Sequence, residues 1–491
     1  MCEYKNCPKA EDEYKKTGYC IFHCDKENFT EEEIEEFNER FKAEFEKQEN
    51  ENEKLEFIGF KFPDNFSFAR KEFIKPVNFF NAKFAEGANF QGVTFNEGAR
   101  FEDAKFTEGA YFGGAKFTKG VCFGGAKFTE EAYFCDATFT EWADFGGAKF
   151  TEGVCFEGAT FTEGVTFGGA TFTKRANFWG ATFTEEANFL EVTFTKGANF
   201  WGATFTEETY FQGATFTKMA DFGDATFTKG ADFSRATFGD KADFGGATFQ
   251  NSVKFIGEEN NKLFISQADF SYSVFETPEN VEFVDVNLSK MSFLHCKDID
   301  KIARFERIKW AKKDGRNAIY DEIKLDENKN KNYEYVAEIY RKLRLNYERN
   351  LRFSEASDFY IGEMEMRRKN VKLFGRETKN RILNLIFRNI SLTAWYRNFS
   401  YYGESYFLPL LWIFAVIIGF GYLFSNDFLA SAQIFFWINP PAESLNVRNF
   451  ELGINFIINS GWLVLLERIL SVIFIALFVL AIRRKFKKGG E

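Results

Sequence analysis

Phenylalanine recurs along the first half of the chain at alternating intervals of five and six residues. The series begins at Phe57 and runs without interruption to Phe255, a stretch that holds 37 phenylalanines at these intervals. Two residues before most of them stands a small apolar residue, usually Ala and sometimes Val, with a polar or variable residue between. Because a β-strand points successive side chains to opposite faces, this pattern predicts very short strands with Ala and Phe inside.

The residues between these strands have the composition of tight corners. After the first Phe of each period the corner is usually x-Gly or x-Asp, as in Gln91-Gly92 and Glu102-Asp103. Gly and Asp tolerate the left-handed backbone that a tight turn requires. Glu191 and Arg235 occupy the same position, so the requirement is a preference. The second corner of each period is longer.

The motif Ala88-Asn89-Phe90-Gln91-Gly92 resembles the repeat unit of the pentapeptide-repeat family. The resemblance covers about residues 55–298 and implies a mainly β fold, a right-handed quadrilateral parallel β-helix with Phe and the small residue inside. This chain departs from the family in having an extra residue in every second unit. We therefore expect a 22-residue coil in place of a 20-residue coil, and ten or eleven coils in all.

An 11-residue coil is excluded by volume, because two phenylalanines and two alanines would share too small an interior. A 22-residue coil predicts that Ala143 and Val165 lie on one side of the rod and Val154 on the other. By the same rule Cys122 aligns with Asp144 and Thr166 in one outward column. Cys155, Asn177 and Asn199 form a second column on the opposite side. The 22-residue coil also places Thr residues in columns on two separate faces of the rod. This arrangement does not favour ice binding.

Helical patterns flank the repeat, as expected for a solenoid whose ends must be capped. Residues 1–28 form a small Cys/His segment, and 29–50 a capping helix that starts with the capping box Thr30-Glu31-Glu32-Glu33. Residues 299–400 are predicted to be a helical linker. Within it we expect one helix over 299–313 and an antiparallel pair over 333–350 and 354–371 that resembles a single tetratricopeptide-like hairpin.

Residues 401–491 are predicted to form a membrane region, a C-terminal α-helical transmembrane hairpin with spans near 407–424 and 462–482. Each run is close to the ~20 residues that a bilayer requires. Lys and Arg precede the first run and follow the second, and the segment between them has one Arg. The positive-inside rule then places both ends in the cytosol, with the basic stretch 381–399 on the inner leaflet. The absence of an apolar stretch at the start predicts no cleavable signal peptide, and we expect reduced thiols.

The first cysteines suggest a metal site. Cys2, Cys7, Cys20 and His23 have the spacing C-x4-C-x12-C-x2-H, which resembles short zinc-binding segments. Thiolates and an imidazole suit structural zinc, with unligated thiols as the alternative. Cys24 is an alternative ligand to His23. In the repeat, Cys122 and Cys155 are too far apart along the rod to form a disulfide.

Two features of the predicted membrane region suggest functions other than anchoring. Glu467-Arg468 lies inside the second apolar run, where ionisable residues are functional candidates. The layout of two runs with an apolar segment between them also resembles the pore module of two-helix potassium channels. However, no T-x-G-Y/F-G filter sequence occurs between the runs, and snorkelling of both charged side chains is the simpler interpretation.

The charge balance limits the remaining functions. The net charge is −10 with a pI near 5.3, so no nucleic acid is expected as a partner. Some pentapeptide-repeat proteins mimic DNA and inhibit topoisomerase, but residues 79–255 mix 23 acids with 15 bases. No catalytic motif is recognisable, so the chain is predicted not to be an enzyme. The sequence favours a membrane-anchored scaffold or protein-binding module, with membrane lipid and a protein as partners; the alternative is an ion-channel-like protein regulated by the rod.

Overall fold

The computed structural model describes residues 14, 19–26, 29–64, 66–85, 87–258, 263–327, 332–370, 386, 388–424, 427–438 and 460–488. The chain divides into two compact units, which are described separately. The first comprises residues 1–312 with 319–321, and the second comprises 313–318 with 322–491.

The first unit is a parallel β-solenoid with a 22-residue coil, the separation that joins Asn177 to Asn199. Along most of the rod each strand pairs in parallel with the strand one coil later. Ala143 thus lies beside Val165, whereas Val154 lies beside Ala132 and Ala176 on a different sheet. The predicted columns Cys122–Asp144–Thr166 and Cys155–Asn177–Asn199 are both present. The predicted coil length is therefore confirmed, and the family-like four-sided solenoid has about eleven turns.

Four sheets form the sides of the rod, numbered here in the order in which the chain visits them. Side 1 has 12 strands: Leu55–Glu56, Val77–Asn78, Ala99–Arg100, Val121–Cys122, Ala143–Asp144, Val165–Thr166, Ala187–Asn188, Thr209–Tyr210, Gly230–Asp232, Ser252–Ile256, Val281–Val284 and Arg304–Glu306. Side 2 has nine strands: Lys61–Phe62, Lys83–Phe84, Lys105–Phe106, Lys127–Phe128, Lys149–Phe150, Thr171–Phe172, Thr193–Phe194, Thr215–Phe216 and Thr237–Phe238.

Sides 3 and 4 have ten strands each. Side 3 consists of Ala88–Asn89, Ala110–Tyr111, Ala132–Tyr133, Val154–Cys155, Ala176–Asn177, Ala198–Asn199, Ala220–Asp221, Lys241–Asp243, Gln267–Asp269 and Met291–Ser292. Side 4 consists of Glu72–Phe73, Thr94–Phe95, Lys116–Phe117, Thr138–Phe139, Thr160–Phe161, Thr182–Phe183, Thr204–Phe205, Thr226–Phe227, Thr248–Phe249 and Val274–Phe275. The Thr columns thus lie on two sides that are not adjacent, as the sequence predicts.

The interior of the rod is a set of stacked phenylalanine rings. Phe167 is fully buried, and its ring lies parallel to those of Phe145 and Phe189 at centroid distances of 4.9 and 5.0 Å. It also meets Phe156 and Phe178 edge to face at 5.4 Å. Both arrangements are favourable for aromatic pairs, so every coil repeats the same packing on the one before it.

The corners adopt the left-handed backbone that their composition predicts. Gly147 has φ +64° and Asp103 has φ +55°. Glu191 and Arg235, the exceptions to the sequence rule, have φ +54° and +59°. The corner geometry is thus retained even where Gly and Asp are replaced.

The N-terminal end of the rod is covered by helix α1, Glu31–Glu51, which begins with the predicted capping box between Thr30 and Glu33. Its buried face carries Phe37, Phe41 and Phe45. Phe41 lies 5.1 Å from Phe57 and 5.5 Å from Phe62, both in the first coil. The apolar stripe therefore closes the end of the aromatic core.

At the other end the solenoid extends beyond residue 298, so the predicted helix over 299–313 is wrong. A 3₁₀ turn, Ile299–Lys301, is followed by the strand Arg304–Glu306, which pairs with side 1. Phe305 stacks on Phe283 of the preceding coil at 5.3 Å. The periodic position of Phe305 inside the solenoid therefore determines the structure here, in spite of the local helical pattern of the sequence. A second 3₁₀ turn spans Pro278–Asn280, and the strands Ala311–Lys313 and Arg316–Ala318 form a hairpin.

The second unit is helical, and its helices include α2 Tyr320–Glu327 (whose first two residues belong to the first unit), α3 Tyr333–Arg349, α4 Phe353–Lys369, α5 Leu392–Ser400, α6 Phe407–Leu423, α7 Phe428–Phe435 and α8 Ser460–Lys488. Helices α3 and α4 pack together over Tyr347 and Phe359, whose rings are 5.2 Å apart. Of the predicted basic stretch 381–399, residues 381–385 and 387 lie outside the described residues.

One described helix is long and apolar enough to cross a membrane, Trp462–Lys487 within α8. Only 22% of its most apolar window is buried in the structure. Helix α6 is apolar but only 17 residues long. The two helices and α7 share a buried cluster that includes Ile413, Phe420, Phe435 and Phe474.

Candidate functional site

The predicted metal segment contains a buried turn at residues 20–24. The backbone N–H groups of His23 and Cys24 both donate to the carbonyl of Cys20 at 3.0 Å. This turn places Cys20 Sγ 3.1 Å from His23 Nδ1. The other ring nitrogen, His23 Nε2, lies 3.0 Å from the carbonyl oxygen of Ile58 in the first coil. Cys20 and His23 are each 1% exposed, so the structure brings together two of the four predicted ligands.

Burial controls the electrostatics of this turn. Burial disfavours the charged imidazole and so lowers the pKa of His23. It also raises the pKa of the Cys24 thiol and lowers the pKa of Lys26 to about 8. Lys26 donates to the carbonyl of Cys24 at 3.0 Å and lies over the ring of Phe37.

The remaining part of the metal prediction is untested. Cys2 and Cys7 lie outside the described residues. Within the described part of the chain, no group of three or more His, Cys, Asp or Glu side chains is arranged to hold a metal ion. The Cys24 thiol donates a hydrogen bond to the carbonyl of Ile21 at 3.5 Å. The Cys20 thiol is therefore paired with His23 and not with Cys24 in this structure.

The cysteines of the rod differ from the expectation of reduced thiols. Cys122 and Cys155 lie on sides 1 and 3 and are not bonded to each other, as the sequence predicts. Cys155 is instead disulfide-bonded to Cys135, with a Cα–Cα distance of 5.5 Å. Cys135 occupies the corner after side 3, one coil before Cys155, and the 20-residue separation brings corner and strand together. Sequence reasoning considered only the strand position and missed this neighbour.

A partly exposed aromatic strip, made of two separate stacked pairs, lies along side 3 and the corner that follows it. It comprises Tyr111, Tyr133, Trp179 and Trp201. The two tyrosine rings stack at 5.3 Å and the two tryptophan rings at 5.9 Å. Trp179 and Trp201 are 42% and 41% exposed. Both pairs have the 22-residue spacing of the coil, a signal in the sequence that could have revealed the strip.

In the helical unit, the buried Glu365 and the half-buried Glu404 connect α4 to the ends of other helices. Glu365 accepts hydrogen bonds from Tyr402 at 2.7 Å and from Arg368 at 2.8 Å, and Arg397 Nε lies 3.0 Å away. Glu404 accepts from Arg484 at 3.0 Å and from the Ser357 hydroxyl at 2.5 Å. Helices α4, α5 and α8 are thus joined by polar contacts near the basic end of α8.

A second polar contact lies inside the apolar helices. Ser431 of α7 donates to Glu467 of α8, and both side chains are fully buried. Trp437 Nε1 donates to Ser471 at 3.1 Å. The second carboxylate oxygen of Glu467 has no hydrogen-bond partner among the described residues. Sequence reasoning identified Glu467 but not the residue from α7 that meets it.

Comparison with protein families supports the assignment of the rod. Residues 101–149, 145–193 and 189–237 each match the family model described as pentapeptide repeats, which holds nine copies of the repeat. No curated protein and no solved structure matches the chain.

Proposed function

Because the rod is a solenoid of the pentapeptide-repeat family, we propose that the protein is a membrane-anchored scaffold whose rod binds another protein on the cytosolic side. The aromatic strip is the observation that carries this proposal. Tyr and Trp are enriched at the energetic centres of protein interfaces, and a tyrosine pair on side 3 and a tryptophan pair on the corner that follows it lie on a rigid support. A scaffold of this kind requires no catalytic group.

The membrane anchor is supported by the exposed apolar surface of α8. Leu466, Ile469, Val472 and Val479 are each about half exposed in the structure. Exposed apolar patches of this kind mark membrane or protein contact sites, and the length of α8 fits a bilayer. Membrane lipid is therefore the first proposed partner. The orientation with both ends in the cytosol rests on the distribution of basic residues in the sequence.

The aromatic strip and the α3–α4 hairpin are the two proposed sites for a protein partner. The strip is favoured, because its rings are already stacked in the free protein and lose little entropy on binding. Nucleic acid is not proposed as a partner. A DNA-mimic role is not favoured either, since acids and bases pair on the rod surface, as Lys119 and Glu141 do at 2.7 Å.

An affinity capture with the full-length protein in detergent tests the scaffold. We expect a protein that is captured by the native chain and by Trp142→Ser, and lost with Trp179→Ser/Trp201→Ser. Trp142 is a matched control, because it is 45% exposed on a different corner of the rod. Equal capture by all three proteins would reject the strip as the binding surface. Release from membranes by deletion of residues 460–488 tests the anchor.

The arrangement of α6, α7 and α8 supports a second candidate, an ion-channel-like protein. A short helix lies between two apolar helices in the chain and meets the second of them through the buried Ser431–Glu467 contact. Reconstituted protein is expected to conduct cations if this candidate is right, and Glu467→Gln is expected to change the flux. If correctly inserted protein gives no flux, the channel candidate is rejected and only the anchor role remains.

A further inference from the structure

The disulfide between Cys135 and Cys155 lies between the two halves of the aromatic strip. Cys155 follows Tyr111 and Tyr133 in the outward column of side 3. Cys135 lies in the corner column after side 3, two coils before Trp179. Both cysteines are partly exposed, so the bond lies at the surface of the rod and not in its aromatic core.

The backbone holds the two cysteines together independently of the bond. The N–H group of Phe134 donates to the carbonyl of Cys155 at 2.7 Å, and the N–H group of Asp136 donates to the carbonyl of Glu157 at 2.8 Å. Cys135 is therefore fixed between two ladder bonds to the next coil, with its Cα 5.5 Å from that of Cys155. Because the ladder sets this separation, the two thiols stay within bonding reach after the bond is broken.

The next coil shows the same two positions without a covalent link. There the positions equivalent to the two cysteines carry Glu157 and Asn177, and the Asn177 amide donates to the Glu157 carboxylate at 3.0 Å. The equivalent ladder bond, from the N–H group of Phe156 to the carbonyl of Asn177, is also present at 2.6 Å. Phe134 and Phe156 are fully buried and stack at 4.9 Å between the two coils. The coil geometry therefore does not depend on a disulfide.

A permanent disulfide has no evident structural purpose in such a rod. Structural disulfides are typical of small secreted domains that cannot build a sufficient core, whereas this solenoid has a continuous core of phenylalanine rings. In the cytosol, disulfides are usually transient and serve catalysis or redox sensing. This last step rests on the proposed function, which places the rod on the cytosolic side.

We propose that Cys135 and Cys155 form a redox-active pair, which exchanges with low-molecular-weight disulfides and thiols while the rod stays folded. The pair opens and closes on the surface that separates the tyrosine pair from the tryptophan pair of the strip. A protein bound across the whole strip would cover it. Oxidation therefore changes the chemistry of the proposed binding surface without a change of fold.

The reaction is a thiol–disulfide exchange in two steps. The thiolate of one cysteine attacks a sulfur of the small disulfide, which forms a mixed disulfide and releases one small thiolate. The thiolate of the second cysteine then attacks the first cysteine sulfur, which forms the Cys135–Cys155 bond and releases the second small thiolate. The two cysteines lose two protons and two electrons, and the small disulfide gains them as two thiols. Reduction is the reverse sequence.

A redox titration of the full-length protein in detergent tests the proposal, with oxidised and reduced glutathione as the probe. Differential alkylation after quenching reports each cysteine separately, because Cys122, Cys135 and Cys155 fall in the tryptic peptides 120–127, 128–149 and 150–174. The ratio of disulfide to dithiol should change by at least about tenfold between oxidising and reducing buffers, with the same values in both directions. Circular dichroism of the same samples should stay constant, and Cys122 should not enter an intramolecular disulfide.

Variants show whether the two cysteines act as a pair. Cys135→Ser and Cys155→Ser should each accumulate a mixed disulfide with glutathione on the remaining cysteine, at least about tenfold more than the native chain, because no second thiol resolves it. Cys122→Ser is the matched thiol control and should titrate as the native chain does.

Two results would overturn the proposal. A bond that persists in reduced glutathione until the rod is unfolded would be a structural disulfide. Mixed disulfides that accumulate on both cysteines of the native chain would show two independent thiols. The titration contains no protein partner, so either result would leave the scaffold proposal standing, and failure to capture a partner would leave the exchange standing.

Discussion

The rod and the helical unit are stabilised in different ways. In the rod the same contact is repeated in each coil, so that Phe145, Phe167 and Phe189 have almost identical surroundings. In the helical unit the main polar contacts each occur once, as in the buried cluster of Arg316, Glu322 and Tyr340. A periodic sequence therefore specifies structure by repetition, whereas the helical unit depends on individual pairs that no period reveals.

The largest expected effect is loss of a ring from the middle of the rod. Phe167→Ala should lower the free energy of unfolding by about 3–5 kcal/mol, because the cavity cannot collapse between two fixed coils. If each coil is equivalent, Phe145→Ala and Phe189→Ala should lower the free energy of unfolding by the same amount within error. Denaturant unfolding of the three variants measures this. A large difference among them would contradict the equivalence, and Phe167→Leu should recover most of the loss.

In the helical unit an effect of similar size should follow from a single charge. Glu322 is 1% exposed and lies 2.6 Å from Arg316, with Lys313 at 3.5 Å. Glu322→Gln leaves Arg316 buried without a counter-ion, which should cost about 3–5 kcal/mol. Glu338→Gln is the control, because this residue is exposed on α3 and pairs loosely with Lys342 at 3.5 Å. Equal unfolding midpoints for the two variants would show that the buried Arg316–Glu322 pair does not determine the stability of the helical unit.

The same contrast explains what the sequence could predict. Coil length, side columns and the two faces of Thr followed from the spacing of Phe, because a 22-residue period fixes every neighbour. The extension to Phe305 was missed because the sequence after residue 298 has a local helical pattern that conceals the period. The Ser431–Glu467 and Arg316–Glu322 contacts were not predictable, since the partners come from elements with no common period. Of the metal site, the sequence indicated which residues to examine, and the structure describes two of them.

Within the rod, the disulfide is a contact that the period does not repeat. Cys135→Ser should lower the stability of the oxidised protein by about 3 kcal/mol, the loop-closure estimate for a bridge with a sequence separation of 20. A reductant should abolish the difference from the native chain, and Cys122→Ser should have no effect under either condition. Unfolding with and without reductant measures this. Alkylation of thiols in intact cells adds information on topology, because a cytosolic rod is expected to hold this pair reduced.

The smallest effect concerns the corners, and it separates backbone strain from crowding. Gly147 and Gly158 have the same φ of +64°, but an added Cβ would meet nothing at Gly147 and would lie 2.6 Å from Asp136 Oδ1 at Gly158. Gly147→Ala should cost about 1 kcal/mol, because the left-handed conformation is unfavourable for Ala and the loss is partly offset in the unfolded chain. Gly158→Ala should cost more, since Asp136 must move. Gly147→Asp should cost less than Gly147→Ala, because Asp103 already adopts this conformation at an equivalent corner and Asp tolerates it better. Thermal unfolding of the three variants would rank them, and equal losses for Gly147→Ala and Gly158→Ala would mean that φ alone determines which residues the corners accept.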